Sequence, residues 1–179
     1  IPFARMLTSP MDYTPGAMRN ATRSDYRSTF NNPMSQGTRV HQMAMYTIFD
    51  APLQMLCDKP SLYELWPDCT DFISKVPTVF DDCLMLQGEM GKYIATAKRK
   101  GSEWFIAAMT NWDERELQLR LDFLDDADYK AVIFSDGVNA SRSAEDYKRE
   151  EKVVKKGDVL RLLLKSGGGW TARLEKIRR

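Results

Sequence analysis

The period of the apolar positions changes once along this chain, close to Val76, and the two sides of that change read as different kinds of structure. The chain opens on an apolar run, Ile1 to Leu7, that reads as a strand and stops at Thr8-Ser9-Pro10. The loop after it, Met11 to Gly16, carries a carboxylate (Asp12), a phenol (Tyr13) and Pro15. Ala17 to Pro33 is polar and holds no sustained period, a long excursion of the sort that serves a site or a contact. Ser35 is placed to cap a helix running to about Leu56, because Val40, Met43, Ala44, Thr47, Ile48 and Ala51 recur at spacings of three and four. Pro52 should kink or end its first segment. From Met43 that helix is apolar nearly all round, so it needs cover over most of its circumference, more than a small fragment readily offers. A second helix is predicted over Pro60 to Lys75, with Leu62, Leu65, Trp66, Cys69, Phe72 and Ile73 on one side.

Past Val76-Pro77 the pattern turns to alternation. Strands are predicted over Asp82–Gln87, Lys92–Arg99, Glu103–Thr110, Leu117–Leu121, Tyr129–Phe134, Tyr147–Val153, Val159–Leu164 and Trp170–Ile177, separated by turn signals such as Lys100-Gly101, Asp136-Gly137 and Ser166-Gly167-Gly168-Gly169. Short strands at such spacing describe an antiparallel β-sandwich of about 100 residues. A strand, a polar rigid loop and a helix in that order are the repeating unit of α/β barrels. The fold class expected is therefore α+β: residues 1–76 supply the last strand, loop and helices of a (β/α)8 barrel, and residues 77–179 form the sandwich.

Composition narrows the function classes. Twenty-six Lys and Arg against 25 Asp and Glu leave a net charge of +1, which favours neither nucleic acid nor an acidic membrane surface. The basic end, Lys176 to Arg179, reads as a solvated tail. Mean hydropathy is −0.46, and no apolar run approaches the ~20 residues of a membrane span. Beginning at Ile with no leader-like segment, the chain reads as a processed product or a piece. Cys57, Cys69 and Cys83 lack metal-ligand spacing and, with one histidine in 179 residues, read as buried thiols rather than a zinc site; a Cys57–Cys69 bridge is the one pairing considered.

Several phrases together resemble the C-terminal end of glycoside hydrolase family 97. Pro2-Phe3-Ala4-Arg5-Met6 with Ser9 to Gly16 is similar to that family's eighth barrel strand and loop. Gln36 to Arg39 with His41-Gln42 and Ala44-Met45-Tyr46 is similar to its last barrel helix, and Ala51 to Leu56 to the continuation. Gly91 to Ile94, Ala97 to Gly101 and Trp104 to Trp112 are similar to its C-terminal sandwich. The resemblance implies an exo-acting α-glucosidase or α-galactosidase, periplasmic or secreted, using calcium held by glutamates and a carboxylate pair. It places that pair and the calcium ligands on segments that precede Ile1, so no catalytic or metal residue maps onto this chain. The partners it implies are the rest of the same polypeptide, namely barrel and N-terminal β-sandwich, and an α-linked oligosaccharide. The alternative is a self-sufficient carbohydrate-binding or purely structural sandwich.

Three residues are candidates for sugar contact. Asp12, held between prolines after the first strand, can accept hydrogen bonds from sugar hydroxyls, or it caps the next turn or pairs with Arg5 or Arg19. Tyr13 can stack on a pyranose face or pack on Pro15. Trp112, in a turn after Thr110-Asn111, is the more exposed of the tryptophans and serves as a sugar or domain contact, whereas Trp104 fills the core. His41, inside the apolar helix, reads as structural. Asn20-Ala21-Thr22 and Asn139-Ala140-Ser141 match the glycosylation pattern.

Overall fold

The computed structural model describes residues 1–7 and 9–177. Thr8, where the apolar run is expected to stop, and Arg178-Arg179 of the basic tail lie outside the described residues. In chain order come β1 (Asn20–Ala21), β2 (Ser35–Gln36), α1 (Arg39–Ile48), α2 (Pro60–Glu64) and α3 (Pro67–Ser74). The strands β3 (Asp82–Glu89), β4 (Tyr93–Lys100), β5 (Glu103–Thr110), β6 (Arg115–Arg120), β7 (Asp128–Asp136), β8 (Tyr147–Lys155), β9 (Val159–Leu164) and β10 (Gly169–Lys176) follow. Each of these last eight covers a segment whose alternation predicts a strand.

Six of them form one antiparallel sheet in the order β3-β4-β5-β10-β7-β8, and β6 pairs with β9 as a separate ribbon. The alternation decides what each face meets. On β5, Ile106 and Ala108 join Leu117, Leu119, Leu160 and Leu162 of the ribbon in one buried cluster. Phe105, Ala107 and Met109 point the other way and pack against the helices. The result is a layered antiparallel structure, ribbon on sheet on helices, with the central strands β4, β5 and β10 buried on both sides.

Five expectations fail. The run Ile1 to Leu7 is not a strand: it turns at Ile1–Ala4 and forms a 3-10 turn over Arg5–Leu7, with Arg5 N donating to Ile1 O at 3.0 Å. A strand needs a neighbour to accept its hydrogen bonds, and without one among the described residues the backbone closes short local bonds instead. The first long helix is only ten residues. Thr38 caps it, accepting from His41 N at 3.1 Å, while Ser35 and Gln36 pair in parallel with Asn20 and Ala21. It ends at Ile48, where buried Lys98 donates to the Ile48 carbonyl at 3.2 Å and to Asp50 Oδ1 at 2.6 Å. A lysine there meets the negative end of the helix dipole.

The helix predicted over Pro60 to Lys75 splits into α2 and α3, because Pro67 lacks the N–H that would continue α2 and its ring disfavours a helical Trp66. The cysteines are all free, and only Cys69 is buried; Cys57 lies in an exposed loop and Cys83 at the open end of β3. The helix α1, finally, finds its cover inside this chain. Nine of its ten residues are buried, against β5 and β10 on one side and the segment Pro15–Met18 with Tyr63 on the other.

Candidate functional site

The N-terminus of α1 is tied to the sheet by one buried carboxylate. Asp136, the last residue of β7, accepts from Thr38 Oγ1 at 2.6 Å, from Lys165 N at 2.8 Å and from Gly169 N at 3.1 Å. Burial pushes its carboxyl up to about 6, against the pull of those three donors. The Ser166–Gly169 turn lies against the helix: Thr38 N donates to Gly167 O at 2.9 Å, and His41 Nδ1 sits 2.9 Å from Gly168 O. Desolvation lowers the His41 pKa, so its imidazole is neutral near pH 7 and Nδ1–H is the donor. A Cβ on Gly169 would stand 2.5 Å from His41 Cα, which is why the turn has no side chain there.

Arg39, wholly buried one residue on, donates to Met18 O at 2.6 Å and pairs with Glu145 at 3.2 Å while its guanidinium lies 3.8 Å from the Trp66 ring centre. This stacking lets the charge be buried with few hydrogen bonds. Sequence reading passed over Asp136, Arg39 and Lys98. Their one signal was charge in segments whose pattern required burial.

A cleft of about 290 Å³ opens where α1, the Asp12–Gly16 loop, the start of β4 and the end of β5 meet. Tyr13, His41, Met45, Phe49, Tyr93 and Met109 line it. Tyr13 meets Phe49 edge-on with ring centres 4.9 Å apart, and burial raises its phenol pKa. The loop behind it is held by Tyr46, whose hydroxyl donates to Pro15 O at 2.8 Å, and Gly16 at φ +91° leaves room for that ring. Among the described residues, no Asp or Glu lines the cleft. It can offer an apolar face and a phenol to a ligand, but not the paired carboxylates that glycoside hydrolysis needs.

The three candidate residues do not converge. Asp12 is exposed at the rim of the loop. Tyr13 lines the cleft. Trp112 is half-buried elsewhere, its ring against Gly167 and under the Arg23 guanidinium at 5.8 Å. Trp104 and Trp170 are buried. Asn20 is buried in β1 and Asn139 is exposed in a turn. No three of His, Cys, Asp or Glu among the described residues are grouped to hold a metal.

Sheet, ribbon and helices thus make a packing body with a shallow aromatic cleft, the build of an accessory domain rather than of a complete active site. Residues 79–175 match the family described as glycosyl-hydrolase 97 C-terminal, oligomerisation, and the chain belongs to that family. It is 46% identical over 175 residues, 98% of its length, to a retaining alpha-galactosidase of Bacteroides thetaiotaomicron, of which it covers 26%. It is 26% identical over 178 residues to a probable retaining alpha-galactosidase of Streptomyces bingchenggensis, of which it covers 24%. The fold superposes with a TM-score of 0.88 on a family 97 glycoside hydrolase from Pseudoalteromonas sp. strain K8 in complex with panose, at 32% identity, over 99% of this chain and 28% of that one. The chain therefore spans about a quarter of the length of the relatives it matches.

Proposed function

We propose that this chain is the C-terminal portion of an exo-acting α-glycosidase, a retaining α-galactosidase in the first instance. The observation that carries the reading is the 46% identity running through 98% of the chain, helical half and sheet alike. In this reading residues 1–76 complete a (β/α)8 barrel and residues 77–179 brace it. The run Ile1 to Leu7 becomes the barrel's last strand once neighbouring strands accept its hydrogen bonds. Asp12 and Tyr13, in the loop after that strand, reach the sugar, since barrel loops after strands carry function. Trp112 packs between domains rather than binding sugar, because its ring is already pressed on Gly167. The carboxylate pair, ~5 to 5.5 Å apart for retention, and any calcium belong to the rest of the polypeptide. A periplasmic or secreted location is part of the same reading, and no described helix is long and apolar enough to cross a membrane. The sheet's further role, suggested by the matched family's description, is self-association.

The test compares the pure chain with the longer polypeptide on p-nitrophenyl α-galactoside. The chain alone is expected to show no turnover and the longer polypeptide to hydrolyse the substrate; turnover by the chain alone overturns the reading. In the longer polypeptide Asp12→Ala is expected to raise KM about tenfold, the loss of ~1.4 kcal/mol of substrate contact, with kcat little changed. An unchanged KM removes Asp12 from the sugar site.

A further inference from the structure

The long polar excursion after Gly16 meets two turns of the strand half in one place. A pocket of about 300 Å³ there is lined by Thr22, Arg23 and Ser24 of the excursion, by Ser141 of the turn after β7 and by Ser166 of the β9–β10 turn. These segments are tied down. Asn20 and Ala21 pair with Ser35 and Gln36 across the two ends of the excursion, Ser141 Oγ donates to Glu114 Oε1, and Ser166 Oγ donates to Trp112 O at 2.6 Å. Every lining side chain carries a hydroxyl or a guanidinium. A protein interface is built around an apolar, desolvated core, and this pocket has none, so it is a poor seat for another stretch of polypeptide.

The hydroxyl protons point away from the pocket. Thr22 Oγ1 donates to Asp25 Oδ2 at 2.8 Å and Ser24 Oγ to Asp25 Oδ1 at 3.3 Å, while Ser141 and Ser166 give theirs to Glu114 and to the Trp112 carbonyl. The Ser141 hydrogen bond and the nearby Lys165 hold the Glu114 carboxyl below its usual range, so it stays ionised and keeps that proton. A hydroxyl has one proton and two lone pairs, so Ser24, Ser141 and Ser166 present acceptors to whatever enters. The donor is Arg23. Its guanidinium is exposed, stands 5.8 Å from the centre of the Trp112 ring, and pairs with no carboxylate among the described residues. Trp112 thus supports the pocket by carrying Arg23 over its ring.

We propose that this pocket takes a neutral sugar ring, a pyranose whose vicinal hydroxyls accept from the Arg23 fork and donate to the serine oxygens. A guanidinium presents its N–H groups as a planar pair, which matches two neighbouring ring oxygens, and those hydroxyls have protons left for Ser24, Ser141 and Ser166. An oxyanion gains from Arg23 alone and faces oxygen lone pairs backed by Asp25 and Glu114. A cation meets Arg23. The volume lies at the small end of ligand pockets, which suits one ring rather than a long glycan. Contacts this open to water give millimolar affinity.

Titrating the isotope-labelled 179-residue chain with methyl α-galactoside, methyl α-glucoside or sodium sulfate, and following backbone amide shifts, tests this. One of the sugars is expected to shift the amides of Arg23, Ser24, Ser141 and Ser166 saturably at millimolar concentration. Arg23→Gln is expected to weaken that binding at least tenfold and Ser141→Ala about threefold, with folding of each variant checked by circular dichroism. Sulfate is expected to leave these amides in place. Sugar-induced shifts gathered at Tyr13 and His41 instead, or binding that survives Arg23→Gln, overturn the assignment. Sulfate binding tighter than either sugar reassigns the pocket to oxyanions and overturns it equally, as does the absence of any saturable shift with both sugars. Hydrolysis by the longer polypeptide is read separately, so failure here leaves the enzyme reading standing.

Discussion

Asp136 shows how one buried side chain can hold two parts of a chain together. Its neighbours in sequence, Ser135 and Gly137, belong to the end of β7 and the turn after it, while its hydrogen-bond donors come from the cap of α1 and from the β9–β10 turn. The consequence can be read in the pH dependence of stability. The carboxyl titrates near 3.8 in the open chain and at about 6 in the fold, so the folded state binds the proton more tightly. Stability from this group is full below about pH 4, falls as pH rises from about 4 to 6, and is level above. The fall amounts to ~3 kcal/mol at about 1.4 kcal/mol per pKa unit. Asp136→Asn, uncharged throughout, is expected to flatten the curve. Urea midpoints between about pH 4.5 and 7 check this, and a wild-type midpoint that climbs over that range contradicts it. None of this is legible in the sequence, where Asp136-Gly137 after a strand reads as an ordinary turn. What marks the residue is the set of donors brought to it from 98, 33 and 29 positions away.

At the scale of elements, the strands were legible and the helix ends were not. Leu117, Leu119 and Leu121 or Leu160, Leu162 and Leu164 alternate with polar residues, and a strand half-buried on one face has no other way to place them. The start of α1 depended instead on contacts. Both Ser35 and Thr38 can cap a helix, and Thr38 prevails because Ser35 is drawn into the pairing with Asn20 while the Thr38 hydroxyl also donates to Asp136. The seat of α1 on β10 is equally contact-bound. Gly169 has an ordinary backbone conformation, so the need for glycine is steric: an added methyl meets the His41 backbone at 2.5 to 2.6 Å. Gly169→Ala is expected to push α1 off the turn and cost about 1–3 kcal/mol, as overpacking does. Chemical denaturation measures the cost, and a loss of the Thr38 to Gly167 bond should appear as faster exchange of the Thr38 amide.

At the scale of the molecule, the change of period at Val76 separates two grammars without separating two cores. Val40, Met43, Tyr46, Phe72 and Ile73 share one buried cluster with Phe105 and Phe134, and Ala44, Met45, Ile48 and Phe49 share another with Ile94, Ala107 and Met109. Residues 77–179 made alone would expose Phe105, Phe134 and Met109 as one apolar face, and patches of that kind lead to association or aggregation. That piece is expected to bind a hydrophobic dye strongly and to aggregate, while the whole chain melts in one cooperative transition. A soluble, cooperatively folding 77–179 piece would show that the helices are dispensable and revive the stand-alone module.

The sequence by itself determined the eight strands after Val76, the order of a helical half before a strand half, and, through its phrases, the family. These are local properties: alternation forces a residue toward one face or the other wherever the sheet lies. It also marked Tyr13 as worth watching, and that residue lines the cleft. Only the tertiary structure decided which strands are edges, where α1 begins and ends, and which charges are buried. The run Ile1 to Leu7 makes the reason plain. The same apolar residues serve as a strand or as a 3-10 turn, and the choice belongs to the neighbours available to accept their backbone hydrogen bonds.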